Sequence, residues 1–253
     1  MAKDPLYEKK IRLDKFLSSV GILTRSEARR VITYGLVKVN DQVIKDMAHK
    51  IEPSKDEVKF KERVLTYKLN TYLMFNKPGD CITATEDSRE KTVMDYIAHP
   101  LAKKMFPVGR LDKDTTGLLL ITDDGKLAHS LMSPKKHVDK TYEAGVMGRV
   151  NEETVAAFEM GIILDDGYQT LPAKLEVVES KEEFSEVLVT IQEGKFHQIK
   201  RMFEAVNMSV VRLNRIRMGS LILDPDLGLG EFRELSDEEV EALQGKHGKK
   251  DEE

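Results

Sequence analysis

Gly109-Arg110-Leu111-Asp112-Lys113-Asp114-Thr115-Thr116-Gly117 runs directly into Leu118-Leu119-Leu120-Ile121, and this junction decides how the chain is read. The loop is too polar to be buried whole. The residues after it are too uniformly apolar for a surface strand. The pattern predicts a buried strand with a charged loop at its mouth, a rigid mount for a catalytic group. Asp112 lies beside Arg110 and Lys113, whose charges favour the ionised carboxylate, so it is a candidate nucleophile or base. Asp112 and Asp114 also offer oxygen ligands to a divalent metal. The third reading is a solvated charged loop, since unpaired carboxylates are usually exposed.

Working outward, Tyr72–Phe75, Gly117–Thr122, Lys140–Val146 and Ser185–Ile191 read as strands, with Val187, Val189 and Ile191 alternating. Asn151–Met160 reads as a helix, capped by Asn151, with two Glu in its first turn and Gly161 at its end. His197–Val206 is a basic helix, and Ser236 with Glu239 caps a last one. Strands and helices do not alternate regularly, which argues against a doubly wound parallel sheet. An α+β domain with a mixed, largely antiparallel sheet fits better, over residues 72–243.

Residues 11–63 form a separate pattern. Leu13, Phe16, Leu17 and Val20 recur at helical spacing, and Gly21 can end that helix. Thr24-Arg25-Ser26-Glu27 is a capping box that opens a second helix through about Tyr34, with Gly35 placed to stop it. Val37, Val39 and Val43 flank Asn40-Asp41, a tight turn between short strands. Residues 64–71 read as a linker, and residues 244–253 as a disordered charged tail.

The 253 residues include one cysteine and no tryptophan, and 40% are hydrophobic. One thiol excludes a disulfide framework and suits a reducing compartment. The histidines show no metal spacing, no Gly-rich phosphate loop is present, and no apolar run reaches the roughly 20 residues that span a bilayer. Met1-Ala2-Lys3-Asp4-Pro5 has no apolar stretch of the signal-peptide kind. The expectation is a cytoplasmic protein without a membrane association.

The net charge of −4 conceals an asymmetry. Residues 1–68 carry 16 Lys+Arg against 10 Asp+Glu, while residues 224–253 carry 4 against 11. A basic front and an acidic end allow a polyanion-binding surface that the total hides. Between Lys195 and Arg217 stand six Lys+Arg and one acid, Glu204. This basic helix and strand suit phosphates or a carboxylate partner, or else form a solvated cationic face.

Several of these segments, in this order, resemble one family. Gly109–Asp112 with Thr115–Leu118 resembles the active-site motif of the ribosomal pseudouridine synthases of the RsuA/RluB/RluE/RluF type. Lys140-Thr141-Tyr142 is similar to their tyrosine motif, Gly194–Met202 with Leu213–Gly219 to their basic motif, and Asn76-Lys77-Pro78 to their opening strand and turn. Arg12-Leu13-Asp14-Lys15-Phe16-Leu17 and Arg25-Ser26-Glu27-Ala28 resemble an S4 RNA-binding domain. Within the family, His197-Gln198-Ile199-Lys200-Arg201-Met202 and the closing Leu223–Leu227 with Gly230-Glu231 look most like the small-subunit branch.

The resemblance implies cofactor-free, metal-free isomerisation of a uridine in ribosomal RNA. The 16S molecule and its uridine 516 would be the target. A 23S uridine, or a non-catalytic role in ribosome assembly, is the alternative. Asp112 would act at the sugar or base, Tyr142 would stack on the extruded uracil, and Lys200 would pair with Asp112. An extended 112–114 segment would point Asp114 elsewhere. Arg110, Lys195, His197 and Arg201 would contact RNA in the catalytic domain, and Arg12, Lys15, Arg25, Arg29 and Arg30 in the S4-like domain. The partner would be rRNA or a small-subunit assembly intermediate, and the protein a monomer.

Overall fold

The computed structural model describes residues 10–65 and 69–245. The reading of Met1–Pro5, residues 66–68 of the expected linker and residues 246–253 of the expected tail lie outside them. The chain divides into two compact units. One holds the described residues up to Thr71 together with Ala98–Met105; the other holds Tyr72–Ile97 and the described residues from Phe106 onward.

In the first unit, β1 (Ile11–Arg12) leads into α1 (Leu13–Ser19) and α2 (Arg25–Thr33). The capping box forms as expected: Glu27 N donates to Thr24 Oγ1 at 3.3 Å, and Thr24 N donates back to Glu27 Oε2 at 2.7 Å. Then come β2 (Val37–Val39), β3 (Gln42–Val43), β4 (Lys50–Ile51), β5 (Val58–Phe60) and β6 (Arg63–Leu65). Asn40 and Asp41 both take positive φ, 49° and 64°, which a two-residue hairpin turn requires. Leu13, Phe16, Leu17, Ala28, Ile32, Val37 and Val58 close one core between the helices and the small sheet.

Two boundaries differ from expectation. Val64 and Leu65 pair with Lys59 and Val58, so they belong to the small sheet rather than to a linker. Ala98–Met105 groups with the first unit, although it lies inside the span assigned to the catalytic domain. His99 and Leu101 approach Gly21 closely enough to explain that grouping. Nothing in the local pattern of 98–105 signals such a long-range partner.

The second unit is built on a nine-stranded sheet. Its elements in chain order are β7 (Tyr72–Lys77), β8 (Phe106–Pro107), β9 (Thr116–Thr122), α3 (Gly125–Met132), β10 (Lys140–Met147), α4 (Glu152–Met160), β11 (Lys174–Ser180), β12 (Phe184–Ile191), α5 (Gln198–Ala205), β13 (Ser209–Met218), β14 (Leu221–Ile222), β15 (Phe232–Glu234) and α6 (Asp237–Leu243). The spatial order is β11-β12-β10-β13-β9-β7-β15, with β8 beside β9 and β14 beside β13. Among the described strands of this sheet, only β13 and β9 run parallel; the other pairs are antiparallel. The α+β expectation with a mixed, largely antiparallel sheet is what the chain adopts.

The elements follow from local chemistry. In β12, Ser185, Val187, Val189 and Ile191 are buried in strict alternation, as period two dictates. Asn151 caps α4 by accepting from Thr154 N at 2.9 Å. Strand β7 runs two residues beyond the apolar Tyr72–Phe75, because the polar ends of Asn76 and Lys77 find partners: Asn76 Nδ2 donates to Leu227 O at 2.7 Å, and Lys77 is described below. Strand β9 is fully buried over Gly117–Thr122, as a central strand between β13 and β7 must be.

Gly117 sits where β9 meets β13 in parallel, opposite Arg215. Its φ is +100°, and a Cβ there would lie 2.3 Å from Arg215 O and 2.5 Å from Asn214 Oδ1. Gly117→Ala should therefore cost about 2–4 kcal/mol of unfolding free energy, from overpacking plus strain at positive φ. Urea titration measures it, and an unchanged midpoint would contradict the close approach.

Candidate active site

The loop that leaves β8 carries Asp112 and returns into β9. Three groups under it fix its shape. Thr83 Oγ1 donates to Leu111 O at 2.7 Å and accepts from Leu111 N at 3.1 Å. Thr115 N donates to Asp112 O at 3.1 Å, closing a turn over 112–115. Lys77, fully buried, donates from Nζ to Pro78 O at 2.9 Å and to Lys113 O and Thr115 O at 3.0 Å. Burial pushes the Lys77 ammonium below the usual lysine range, while nearby acids, Asp114 and Asp112 among them, pull it back up. The family motif flagged Lys77 as part of a strand and turn, but only the fold shows it beneath the Asp112 loop.

Asp112 lines a cleft together with Arg110, Tyr142, Lys195 and His197. Its carboxylate is about a quarter exposed, and two basic groups stand off it: His197 Nε2 is 3.7 Å from Oδ1 and Lys200 Nζ is 3.8 Å from Oδ2. Tyr142 lies in β10 between Val189 of β12 and Arg215 of β13, and is buried. The sheet thus places an aromatic side chain against one wall while the loop presents the carboxylate from another. Lys195 and Arg110 are exposed at the cleft.

Lys200 does not do quite what was expected. Its Nζ donates to Asp114 Oδ1 and Oδ2, both at 2.7 Å, and is closer to Asp114 than to Asp112. The expectation that Asp114 points away assumed an extended 112–114 segment. The 112–115 turn brings Asp114 round to the same lysine instead. The hydrogen bond from Lys200 is the main reason the Asp114 carboxyl sits below the ordinary aspartate range.

Arg201 is engaged within the protein: its Nε donates to Asp165 Oδ1 at 2.6 Å and Nη2 lies 2.7 Å from Asp166 Oδ2, both exposed acids. These acids lie 36 and 35 positions away, so proximity in sequence gave no sign of them. The same holds elsewhere in the basic 195–217 segment. Arg215 is 2% exposed with its Nε donating to Leu118 O at 2.8 Å, and Arg212 pairs with Glu186. With Lys200 counted, four of the six basic residues of that segment are therefore internally paired or buried.

In the first unit, Asp14 is the residue the motif reading overlooked. Its carboxylate is completely buried. Arg12 holds it through Nε at 3.0 Å and Nη2 at 3.1 Å, Arg29 Nε lies at 3.2 Å and Arg25 Nε at 3.7 Å. All three arginines remain about half exposed. One buried carboxylate thus gathers three guanidinium groups and leaves a net positive cluster. Burial raises the Asp14 carboxyl, but hydrogen bonds from Arg12 and Arg29 and the charges of Arg12 and Arg25 outweigh it and hold it below the usual range. Lys15 and Arg30 are exposed on α1 and α2.

A loop-borne carboxylate facing a buried tyrosine, flanked by cations and joined to a separate arginine-rich unit, defines an enzyme acting on a polyanionic nucleic acid. Comparison with known proteins identifies the family. Residues 71–205 match the RNA pseudouridylate synthase model, and residues 11–58 match the S4 domain. The chain belongs to the RNA pseudouridine synthase family and carries an S4 RNA-binding domain. It is 43% identical over 234 residues to an uncharacterized RNA pseudouridine synthase, YtzG, of Bacillus subtilis, covering 92% of this chain and 98% of the relative. It is 40% identical over 235 residues to ribosomal small subunit pseudouridine synthase A of Haemophilus influenzae, covering 92% and 99%. A crystal structure of a pseudouridylate synthase matches 92% of this chain and 99% of its own, at 40% identity and a TM-score of 0.65.

Two outcomes follow from the buried charges. Lys77→Met leaves three carbonyls without their donor, so stability should fall by about 3–5 kcal/mol and turnover should fall further than RNA affinity. Denaturation and tritium release read the two effects separately. Asp14 has its folded pKa lowered, so its contribution to stability is complete above its unfolded value near 4 and is lost as pH falls through the lower folded value. Urea midpoints at several acid pH values should therefore decline less in Asp14→Asn than in the unsubstituted protein. Equal declines would remove Asp14 from the acid response.

Proposed function

We propose that the enzyme converts one uridine of small-subunit ribosomal RNA to pseudouridine, with uridine 516 of 16S rRNA as the site. The observation that carries the reading is the Asp112 carboxylate in a cleft with Tyr142, flanked by His197 and Lys200. Relatives named for the small subunit, 40% identical over nearly their whole length, support the choice of rRNA.

The isomerisation breaks the N1–C1′ bond and forms C5–C1′ on the same uracil. The C5 proton leaves and N1 gains one, so no atom is added and no electron is transferred. The uridine must leave its stack to reach Asp112. Asp112 acts as nucleophile or base during detachment, and Tyr142 stacks on the freed uracil. Lys200 supplies positive charge beside the carboxylate and toward the phosphates, and His197 sets its ring against the same carboxylate. Lys200 bridges between Asp114 and Asp112, and an RNA phosphate that displaces the exposed Asp114 carboxylate from it leaves the ammonium beside Asp112. Arg110 and Lys195 at the cleft add phosphate contacts, whereas Arg201 orders the 165–166 loop. The Arg12, Arg25 and Arg29 cluster, with Lys15 and Arg30, grips RNA from the other unit. Two tethered sites raise avidity through effective concentration.

Loss of the gene should remove one pseudouridine from 16S rRNA, read by carbodiimide treatment and primer extension. Loss of a 23S modification instead would transfer the reading to the large subunit, and no change in either would leave only RNA binding. In vitro, Asp112→Asn should abolish tritium release from 5-tritiated uridine while RNA affinity stays within about threefold, since each retained phosphate contact still contributes. Lys200→Met should be severely impaired and Lys200→Arg should keep measurable turnover. Normal turnover in Asp112→Asn would eliminate the assignment.

A further inference from the structure

We infer that Phe196, stacked on His197 at the lip of the Asp112 cleft, is a platform for the nucleobase next to the uridine that is extruded. This rests on the enzyme reading RNA at that cleft. Phe196 is 75% exposed, an unusual place for a phenyl ring, and its ring lies 3.7 Å from that of His197 at 19° between planes. His197 in turn places Nε2 3.7 Å from Asp112 Oδ1. One ring therefore separates Phe196 from the carboxylate, which is the reach of one neighbouring nucleotide.

The platform is mounted rigidly. His197 adopts a left-handed backbone, φ 49° and ψ 30°, at the head of α5. Such strain in a non-glycine residue persists only where the surroundings enforce it, and it gathers at functional sites. Here the enforcing group is the buried Gln198. Its Oε1 accepts from Lys195 N at 2.9 Å and its Nε2 donates to Glu193 Oε1 at 2.8 Å. Glu193 also accepts from Leu171 N at 2.9 Å and from Tyr168 Oη at 2.7 Å. Both ends of the Glu193–His197 loop are thus tied down, so Phe196 is held out and not merely left loose.

The occupant is a base rather than an apolar protein surface, because the cleft beside the ring is basic. Arg110 and Lys195 line that cleft and Lys200 borders it, with the Lys195 ammonium over the Tyr168 ring. An aromatic face beside a basic cleft matches a polyanion that carries π-faces. Removing a uridine from a stack exposes the face of its neighbour, and an apolar ring can cover that face.

The test uses the full-length protein and an rRNA fragment centred on the uridine that the unsubstituted enzyme converts. Phe196→Ala and Phe196→Leu should each weaken binding about five- to 150-fold, the equivalent of one stacked base, while Phe196→Tyr stays within about threefold. Leucine keeps the apolar bulk without the π-face, so it separates stacking from simple hydrophobic contact. 2-Aminopurine placed on either side of the target should be quenched on binding at one position by the unsubstituted protein and by Phe196→Tyr, but not by Phe196→Leu. If Ala or Leu binds and quenches normally while conversion proceeds, the platform is overturned and the enzyme reading stands. If the unsubstituted protein converts no rRNA uridine, both fall together.

Discussion

The buried ammonium of Lys77 is the constraint on which the site depends. A fully buried lysine is costly unless its donors are satisfied, and here all its recorded acceptors are backbone carbonyls around the Asp112 loop. The charge at the end of β7 therefore folds the 112–115 turn about itself. Thr83 fixes Leu111 from the same side. Asp112 needs no side-chain hydrogen bond of its own to be placed, which leaves its carboxylate available for chemistry.

Carboxylates decide which basic groups are already engaged within the protein. Asp165 and Asp166 occupy Arg201, Glu186 occupies Arg212, and Asp114 holds Lys200. These pairs involve exposed acids, apart from the half-buried Glu186, and are individually weak, of order 0–1 kcal/mol in water. A phosphate can displace the exposed acid at Lys200 at small cost. Asp14 is different: being buried, it gathers Arg12, Arg25 and Arg29 without competing for their outward faces. A carboxylate thus engages a single cation in each of the exposed pairs, while the buried Asp14 organises three.

The first turn of α5 and the loop before it meet the Asp112 loop. Gln198 ties the preceding loop, His197 faces Asp112, and Lys200 reaches both acids of the 112–115 turn. Ile199, Met202 and Phe203 bury the opposite stripe of the helix, with Phe203 against Phe158 of α4. An apolar contact on one face therefore fixes the rotation of the charged face, because 3.6 residues per turn leaves no independent freedom.

Local chemistry in the sequence determined most elements. The caps at Thr24, Asn151 and Ser236, the alternation in β12 and the uniform apolarity of β9 act within a few residues, so their effects are legible in order along the chain. The motif residues Asp112, Tyr142 and His197 were likewise legible, and the fold brings them into one cleft. Tertiary structure alone decided the rest. It turned Asp114 toward Lys200, gave Arg201 to Asp165 and Asp166, buried Arg215, and placed Lys77 under a loop 36 positions away. Ala98–Met105 joined the first unit for the same kind of reason. Charge and hydrogen bonding act through space, and the partner of a charged side chain is set by which backbone segments the sheet brings together, information that a linear spacing does not carry.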